Sequence, residues 1–242
     1  MGNLYIVATP IGNLEDITLR ALRVLKEVDL VLCEDTRMTK RILSHYEITN
    51  KQLSIFNDQK SGLNAEKVIR LLQEGKNIAL VTDAGTPAIS DPGSFLVKKI
   101  LDFAQGQSLH TEVSPQYVVE KTDHVKIIPI PGASALTAAF SASGVTGGEF
   151  TFLGFLPHKK GRETLFKEMV NTDRAYVFYE SPHRILKALE SLVKFAPNKK
   201  VTIARELTKI YEEFVVGTPE EVLKYFDDNK EKVRGEFVVI VS

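Results

Sequence analysis

The feature that most constrains this chain is a regular alternation of short β-branched runs with segments of helical periodicity. It starts at the first residues and predicts an α/β fold with largely parallel strand pairing. Leu4 to Ala8 reads as a strand, followed by a helix in which Leu19, Leu22, Leu25 and Val28 recur at three-residue steps as one apolar stripe. The rhythm continues through strand 29–33, helix 36–46, strand 52–56, helix 64–73, strand 77–82 and helix 92–103. After residue 124 it resumes with strand 125–130, helix 133–143, strand 149–155, helix 162–170 and strand 175–180. A helix carrying Ile185, Leu186, Leu189, Leu192 and Val193 on one face follows, then strand 200–206. Phe214 to Gly217 and Glu236 to Val241 read as two closing strands around helix 219–225, an antiparallel addition that makes the second half mixed.

Residues 104–124, rich in Gln, Gly, Ser, Pro and mixed charge, interrupt this rhythm and read as a linker or insertion. The expected organisation is therefore an N-terminal α/β domain over 1–112 and a C-terminal one over 113–242. With 242 residues, 43% of them hydrophobic, the chain is long enough for one large core or two modest ones. Lys plus Arg and Asp plus Glu total 31 each, so any nucleic-acid contact must rest on local patches rather than on a global field. Cys33, the only cysteine, is expected in the core, and no His/Cys set has zinc-ligand spacing. The opening residues lack the regions of a signal peptide, which points to a cytoplasmic protein without metal or membrane partner.

Two loops carry the chemistry. Val81 to Gly93 is a run of small residues and prolines directly after a buried strand, with Asp91-Pro92 placed to start the next helix. Pro129 to Ala135 repeats the plan of strand, stiff turn and helix start. In open α/β sheets ligands sit at such carboxyl ends, and these side chains are too small to block a flat ligand. Two well-capped turns would look the same when either loop is taken alone. Neither loop is a dinucleotide fingerprint or a phosphate-binding P-loop.

Several segments, taken in order, resemble the small-subunit ribosomal RNA 2′-O-methyltransferases, a branch of the tetrapyrrole-methylase superfamily. They are Val7-Ala8-Thr9-Pro10-Ile11-Gly12-Asn13-Leu14, Glu34-Asp35-Thr36-Arg37, Asp83 to Gly93, Pro131 to Ala135, Phe152 to Pro157, Tyr179-Glu180-Ser181-Pro182-His183-Arg184 and Ala204 to Lys209. The resemblance implies two α/β domains, a mostly parallel sheet in the first and a mixed sheet in the second, with S-adenosyl-L-methionine in the cleft between them and a homodimer. It implies as target the 2′-hydroxyl of a cytidine in 16S ribosomal RNA or the 30S subunit. It also implies that the cofactor is held by Pro10, by Asp83, Ala84, Gly85, Ile89 and Ser90, by Pro131, Gly132, Ala133, Ser134 and Ala135, and near Tyr179, Gly235 and Glu236.

Methyl transfer from a sulfonium needs in-line positioning and a nucleophile whose proton can leave. Glu34, Asp35, Glu180 and His183, each at or just beyond a strand end, are the candidate bases; helix capping competes for Asp35, and a helix-start hydrogen bond for His183. Candidate phosphate contacts are Arg37, Lys40 and Arg41 on one helix, Lys159, Lys160 and Arg162 after a strand, and His183 with Arg184.

The chain departs from the resembled family in four places. Residues 104–124 lengthen a connection that is normally short, and Phe56 to Lys60 lacks the family's histidines. Ala88 stands where a glycine is common, a one-methyl change the site is expected to tolerate. The sequence stops at Ser242, where many relatives continue into a small helical module. Two other readings stay open at this point: a methyltransferase acting on a tetrapyrrole or other small molecule, and a non-catalytic ribosome-binding protein.

Overall fold

A computed structural model describes residues 1–56, 61–104, 125–158 and 161–242. The chain divides into two compact units, Met1–Ser134 and Ala135–Ser242. The boundary expected at 112/113 lies outside the described residues, and the division falls later because the strand at 126–130 belongs to the first sheet. The Phe56 to Lys60 segment, apart from Phe56, and residues 105–124 also lie outside the described residues.

The first unit contains β1 (Asn3–Val7), α1 (Leu19–Glu27), β2 (Leu30–Cys33), α2 (Thr36–His45), β3 (Gln52–Ile55), α3 (Ser61–Gln73), β4 (Ile78–Leu80), α4 (Gly93–Ala104) and β5 (Lys126–Ile130). The strands form one sheet in the order β3-β2-β4-β1-β5, and every pairing is parallel. Such a sheet is covered on both faces, so its strands read as nearly continuous apolar runs. Strand alternation sorts them between two cores. Leu4, Ile6, Leu30, Leu32, Ile78 and Leu80 face α3 and α4 through Val68, Leu72, Leu96 and Ile100. Val7, Val31, Cys33, Ala79 and Val81 pack with Ala21, Val24 and Leu25 of α1 and Leu43 of α2. Cys33 is buried there, and burial pushes its thiol up.

The stripe expected on α1 is corrected. Leu19 is 87% exposed, and the buried set is Ala21, Val24, Leu25 and Val28. These positions follow the i, i+3, i+4, i+7 spacing of a 3.6-residue period, whereas uniform three-residue steps drift around the helix. Thr18 fixes the start by accepting the Ala21 N–H at 3.1 Å.

The second unit contains α5 (Ala135–Ser141), β6 (Phe150–Phe155), α6 (Arg162–Val170), β7 (Ala175–Glu180), α7 (Ile185–Phe195), β8 (Val201–Arg205), β9 (Glu213–Gly217), α8 (Pro219–Asp228) and β10 (Phe237–Val241). Its sheet order is β6-β7-β10-β8-β9. β6 and β7 are parallel, while β10 runs antiparallel to β7 and β8, and β9 antiparallel to β8. The sheet is thus mixed, as the sequence predicts. β10 is buried at all five positions, which explains its unbroken apolar sequence. Among the described residues no helix is long and apolar enough to cross a membrane.

Candidate active site

Because the first sheet is parallel throughout, the segments leaving β1, β2, β4 and β5 all emerge at its carboxyl edge. They are tied to one another. Thr9 and Gly85 exchange backbone hydrogen bonds of 2.9 and 3.1 Å, and the Thr9 hydroxyl donates to the Thr82 carbonyl at 3.0 Å. The Thr86 hydroxyl donates to the Ala133 carbonyl at 3.0 Å, joining the loop after β4 to the one after β5. The Asp35 N–H donates to Asp83 Oδ1 at 3.1 Å, and the Thr82 hydroxyl donates to Glu34 Oε1, joining it to the end of β2. Three of the four segments thus converge on the loop after β4.

That loop holds an unusual backbone. Gly85 has φ of +86°, and the non-glycine residues Ala88 and Ser90 have φ of +70° and +65°. Left-handed backbone outside glycine persists only where the surroundings impose it. Here Asp91 does so, its Oδ1 accepting the N–H groups of Ala88 at 2.9 Å and Gly93 at 2.7 Å. A glycine would adopt the φ at position 88 without strain. Gly132 packs against β1 so closely that a Cβ there would lie 2.8 Å from the Ala8 Cβ.

At this edge Ala84, Ile89, Ser90, Pro131 and Gly132 are exposed, Asp83, Ala133 and Ser134 are half-buried, and Pro10 is buried. The exposed residues of this edge are thus small ones, Ala84, Ser90, Pro131 and Gly132, beside the apolar Ile89. Such a surface leaves room for a flat adenosyl group.

The carboxylates separate into distinct roles. Asp35 caps α2 through the Arg37 N–H at 2.8 Å and pairs with the Arg37 guanidinium at 2.6 Å, which holds its carboxyl below the ordinary range. Asp83 is pushed up, first by burial and then by the neighbouring Asp35 charge, with the Asp35 N–H opposing. Glu34 is half-buried and accepts from Thr82 through Oε1. Arg37, Lys40 and Arg41 are exposed and, at i, i+3 and i+4, share one face of α2.

In the second unit the sequence-based assignment of Glu180 is corrected. Its side chain is fully buried and receives Arg162 at 3.2 Å and Arg184 at 3.3 Å. The Ser181 N–H adds a third contact at 3.0 Å. Arg184 also donates to the carbonyls of Leu156 at 2.5 Å and Pro157 at 3.2 Å. A carboxylate so enclosed anchors the segments after β6 and β7. Arg162 and Arg184 are correspondingly its counterions, with side chains only 13% and 18% exposed. His183 is exposed, and Lys159 and Lys160 lie outside the described residues.

Two further assignments are refined. The Glu236 N–H donates to Glu206 Oε1 at 3.0 Å and its carbonyl accepts the Glu206 N–H at 3.0 Å, while Gly235 stands at φ of +85°. Tyr179 is half-buried, its ring edge-on to Phe152 at 5.0 Å and Phe155 at 5.5 Å, and burial raises its hydroxyl. The sequence reading missed the partners that organise these sites: Thr9, Thr82, Glu206 and Lys209. All four lie inside the quoted segments, but only the tertiary contacts show what each one ties.

The chain, with a five-stranded parallel sheet in its first unit and a mixed sheet in its second, matches a known family. The model for the Tetrapyrrole (Corrin/Porphyrin) Methylases spans residues 3–223, and the chain belongs to that family. Within it, the chain is 43% identical over 242 residues to the Ribosomal RNA small subunit methyltransferase I of Thermotoga maritima, covering 100% of this chain and 99% of that one. It is 40% identical over 243 residues to the Bacillus subtilis protein of the same name, covering 100% and 75% respectively. In fold it is similar to a uroporphyrin-III C-methyl transferase from Thermus thermophilus complexed with S-adenyl homocysteine, with TM-score 0.64, 18% identity and coverage of 100% and 97%. The methyltransferase CobJ gives TM-score 0.67 at 20% identity, with coverage of 100% and 94%.

Proposed function

We propose that this protein methylates the 2′-hydroxyl of a cytidine ribose in small-subunit ribosomal RNA, using S-adenosyl-L-methionine. The observation that carries this is the tied carboxyl edge of the first sheet, in a chain similar along its whole length to relatives named for small-subunit ribosomal RNA methylation. When bound, the cofactor supplies an electrophilic methyl group on sulfur. Pro10, Asp83 to Gly85, Ile89, Ser90 and Pro131 to Ser134 are the first-unit residues that hold it; Ala135, Tyr179, Gly235 and Glu236 are its further contacts.

Of the three carboxylates weighed from sequence, Glu34 alone remains suited to accept the ribose proton. Glu180 is enclosed by two arginines, and Asp35 is committed to a helix cap and Arg37. The Thr82 hydroxyl orients Glu34 through one oxygen. Glu34 would thus take the 2′-hydroxyl proton and leave that oxygen as the nucleophile for the methyl group the cofactor would supply. A positioned base of this kind contributes about 10²- to 10⁴-fold. The exposed face of Arg37, Lys40 and Arg41 supplies phosphate contacts. A homodimeric, cytoplasmic protein completes the proposal.

The test is transfer of labelled methyl from S-adenosylmethionine to small ribosomal subunits lacking native 2′-O-methylation. Wild-type protein labels the RNA and Glu34→Gln loses about 10²-fold or more in kcat. Label entering an added tetrapyrrole instead of RNA contradicts the acceptor, and an unchanged kcat in Glu34→Gln contradicts the base.

A further inference from the structure

The loop between β8 and β9 has a role that neither the cofactor edge nor the carboxylates explain. β8 and β7 are each antiparallel to β10, so β8 runs in the same direction as β6 and β7. The 206–212 loop therefore leaves the same sheet edge as the segments carrying His158 and His183, both exposed.

The loop is locked. The Glu206 N–H donates to the Glu236 carbonyl at 3.0 Å, and the Thr208 N–H donates to Glu212 Oε2 at 2.5 Å. Lys209 Nζ bridges Glu206 at 2.8 Å and Glu236 at 2.9 Å. Glu206 and Thr208, neither a glycine, sit at φ of +52° and +64°. Gly235 beside them stands at φ of +85°, which disfavours any other residue, and a Cβ there would lie 2.3 Å from the Glu206 carboxyl. What this strained frame presents is apolar: Ile210 is 95% exposed and Tyr211 is 61% exposed. Arg234 covers the tyrosine ring with its guanidinium carbon 5.4 Å from the centroid.

We propose that Tyr211, backed by Arg234 and flanked by Ile210, is a stacking platform for an unpaired nucleobase of the RNA substrate. The proposal rests on the reading that the acceptor is RNA. An aromatic ring paired with a guanidinium plane is the surface on which single-stranded bases stack. The Lys209 charge is already met by two glutamates, so the tip offers π-surface rather than another phosphate contact. The phosphate contacts proposed above are carried by other residues, Arg37, Lys40 and Arg41 of α2. Two side chains on a narrow tip also fall far short of the roughly 800 Å² per partner that a stable protein interface buries.

The test compares Tyr211→Ala with Tyr211→Phe. Loss of one base stack weakens binding by about 5- to 150-fold. Tyr211→Ala should therefore raise KM for small subunits about 10-fold, with kcat, cofactor Kd and the salt dependence of binding unchanged, because stacking releases no counterions. Tyr211→Phe should stay within about 2-fold of wild type. An unchanged KM in Tyr211→Ala overturns the platform, as does a shift in sedimentation that marks the tip as a contact between copies. Filter binding to small-subunit RNA needs no methyl transfer and keeps the two readings apart. Affinity lost in Tyr211→Ala supports the platform even if wild type transfers no methyl, whereas RNA methylation unaffected by Tyr211→Ala removes the platform and leaves the activity standing.

Discussion

Thr9 and Gly85, 76 residues apart, exchange two backbone hydrogen bonds of 2.9 and 3.1 Å, and this pair fixes the loop after β4 against the end of β1. The link depends on the φ of +86° at Gly85, and a Cβ there would lie 3.3 Å from Ile11 Cγ2 and 3.8 Å from the Ala133 carbonyl oxygen. Gly85→Ala is expected to lose about 1–2 kcal/mol of stability, seen in urea unfolding, and to weaken S-adenosylmethionine binding. Wild-type values for both would show that the loop tolerates relaxation.

Gly132 is constrained differently, by close approach to the Ala8 Cβ rather than by its dihedral angles. Gly132→Arg must displace the segment after β5 and fill the exposed backbone surface with a long side chain. Calorimetric titration should show no S-adenosylmethionine binding; an unchanged dissociation constant removes the cofactor from this segment.

The Glu180 cluster predicts a stability effect distinct from a catalytic one. Glu180→Gln leaves Arg162 and Arg184 without their buried counter-charge, a loss of about 3–5 kcal/mol for a pair broken on one side. Adding Arg162→Met, which removes one orphaned charge, should recover part of it. A variant of wild-type stability with kcat down about 10²-fold would restore Glu180 as the base.

Asp83 gives the pH dependence. Its carboxyl is raised mainly by burial, so the folded state is disfavoured where Asp83 is ionised in the unfolded chain. That penalty is fully present at neutral pH and disappears as pH falls through the raised value. Asp83→Asn keeps an acceptor for the Asp35 N–H and should melt higher than wild type near pH ~7, the curves converging near pH ~3–4. A lower melting temperature at neutral pH would mean that the ionised form is needed for the fold.

These features differ in how far the sequence reveals them. The β-branched runs give the strands because a buried parallel sheet demands continuous apolar sequence, and the small-residue loops after β4 and β5 mark the site through turn chemistry. The assignment of β5 to the first sheet is not legible: it depends on pairing between Asn3–Val7 and Lys126–Ile130, and no local period encodes a partner over 120 residues away. The roles of Glu34, Asp35 and Glu180 are likewise tertiary. All three stand at strand ends in sequence, and only the positions of Thr82, Arg37, Arg162 and Arg184 separate the proposed base from a helix cap and a buried ion-pair centre. Ala88 shows the converse: its departure from glycine is visible in sequence, but its φ of +70° is not.

The most direct test of the central claim is where the methyl group lands. Small subunits labelled by the protein from S-adenosylmethionine should be stripped to RNA and hydrolysed in alkali, which needs a free 2′-hydroxyl to cleave each link. The account predicts label in an alkali-resistant dinucleotide whose 5′ residue is cytidine; label released in ordinary mononucleotides, or none in RNA at all, would contradict it.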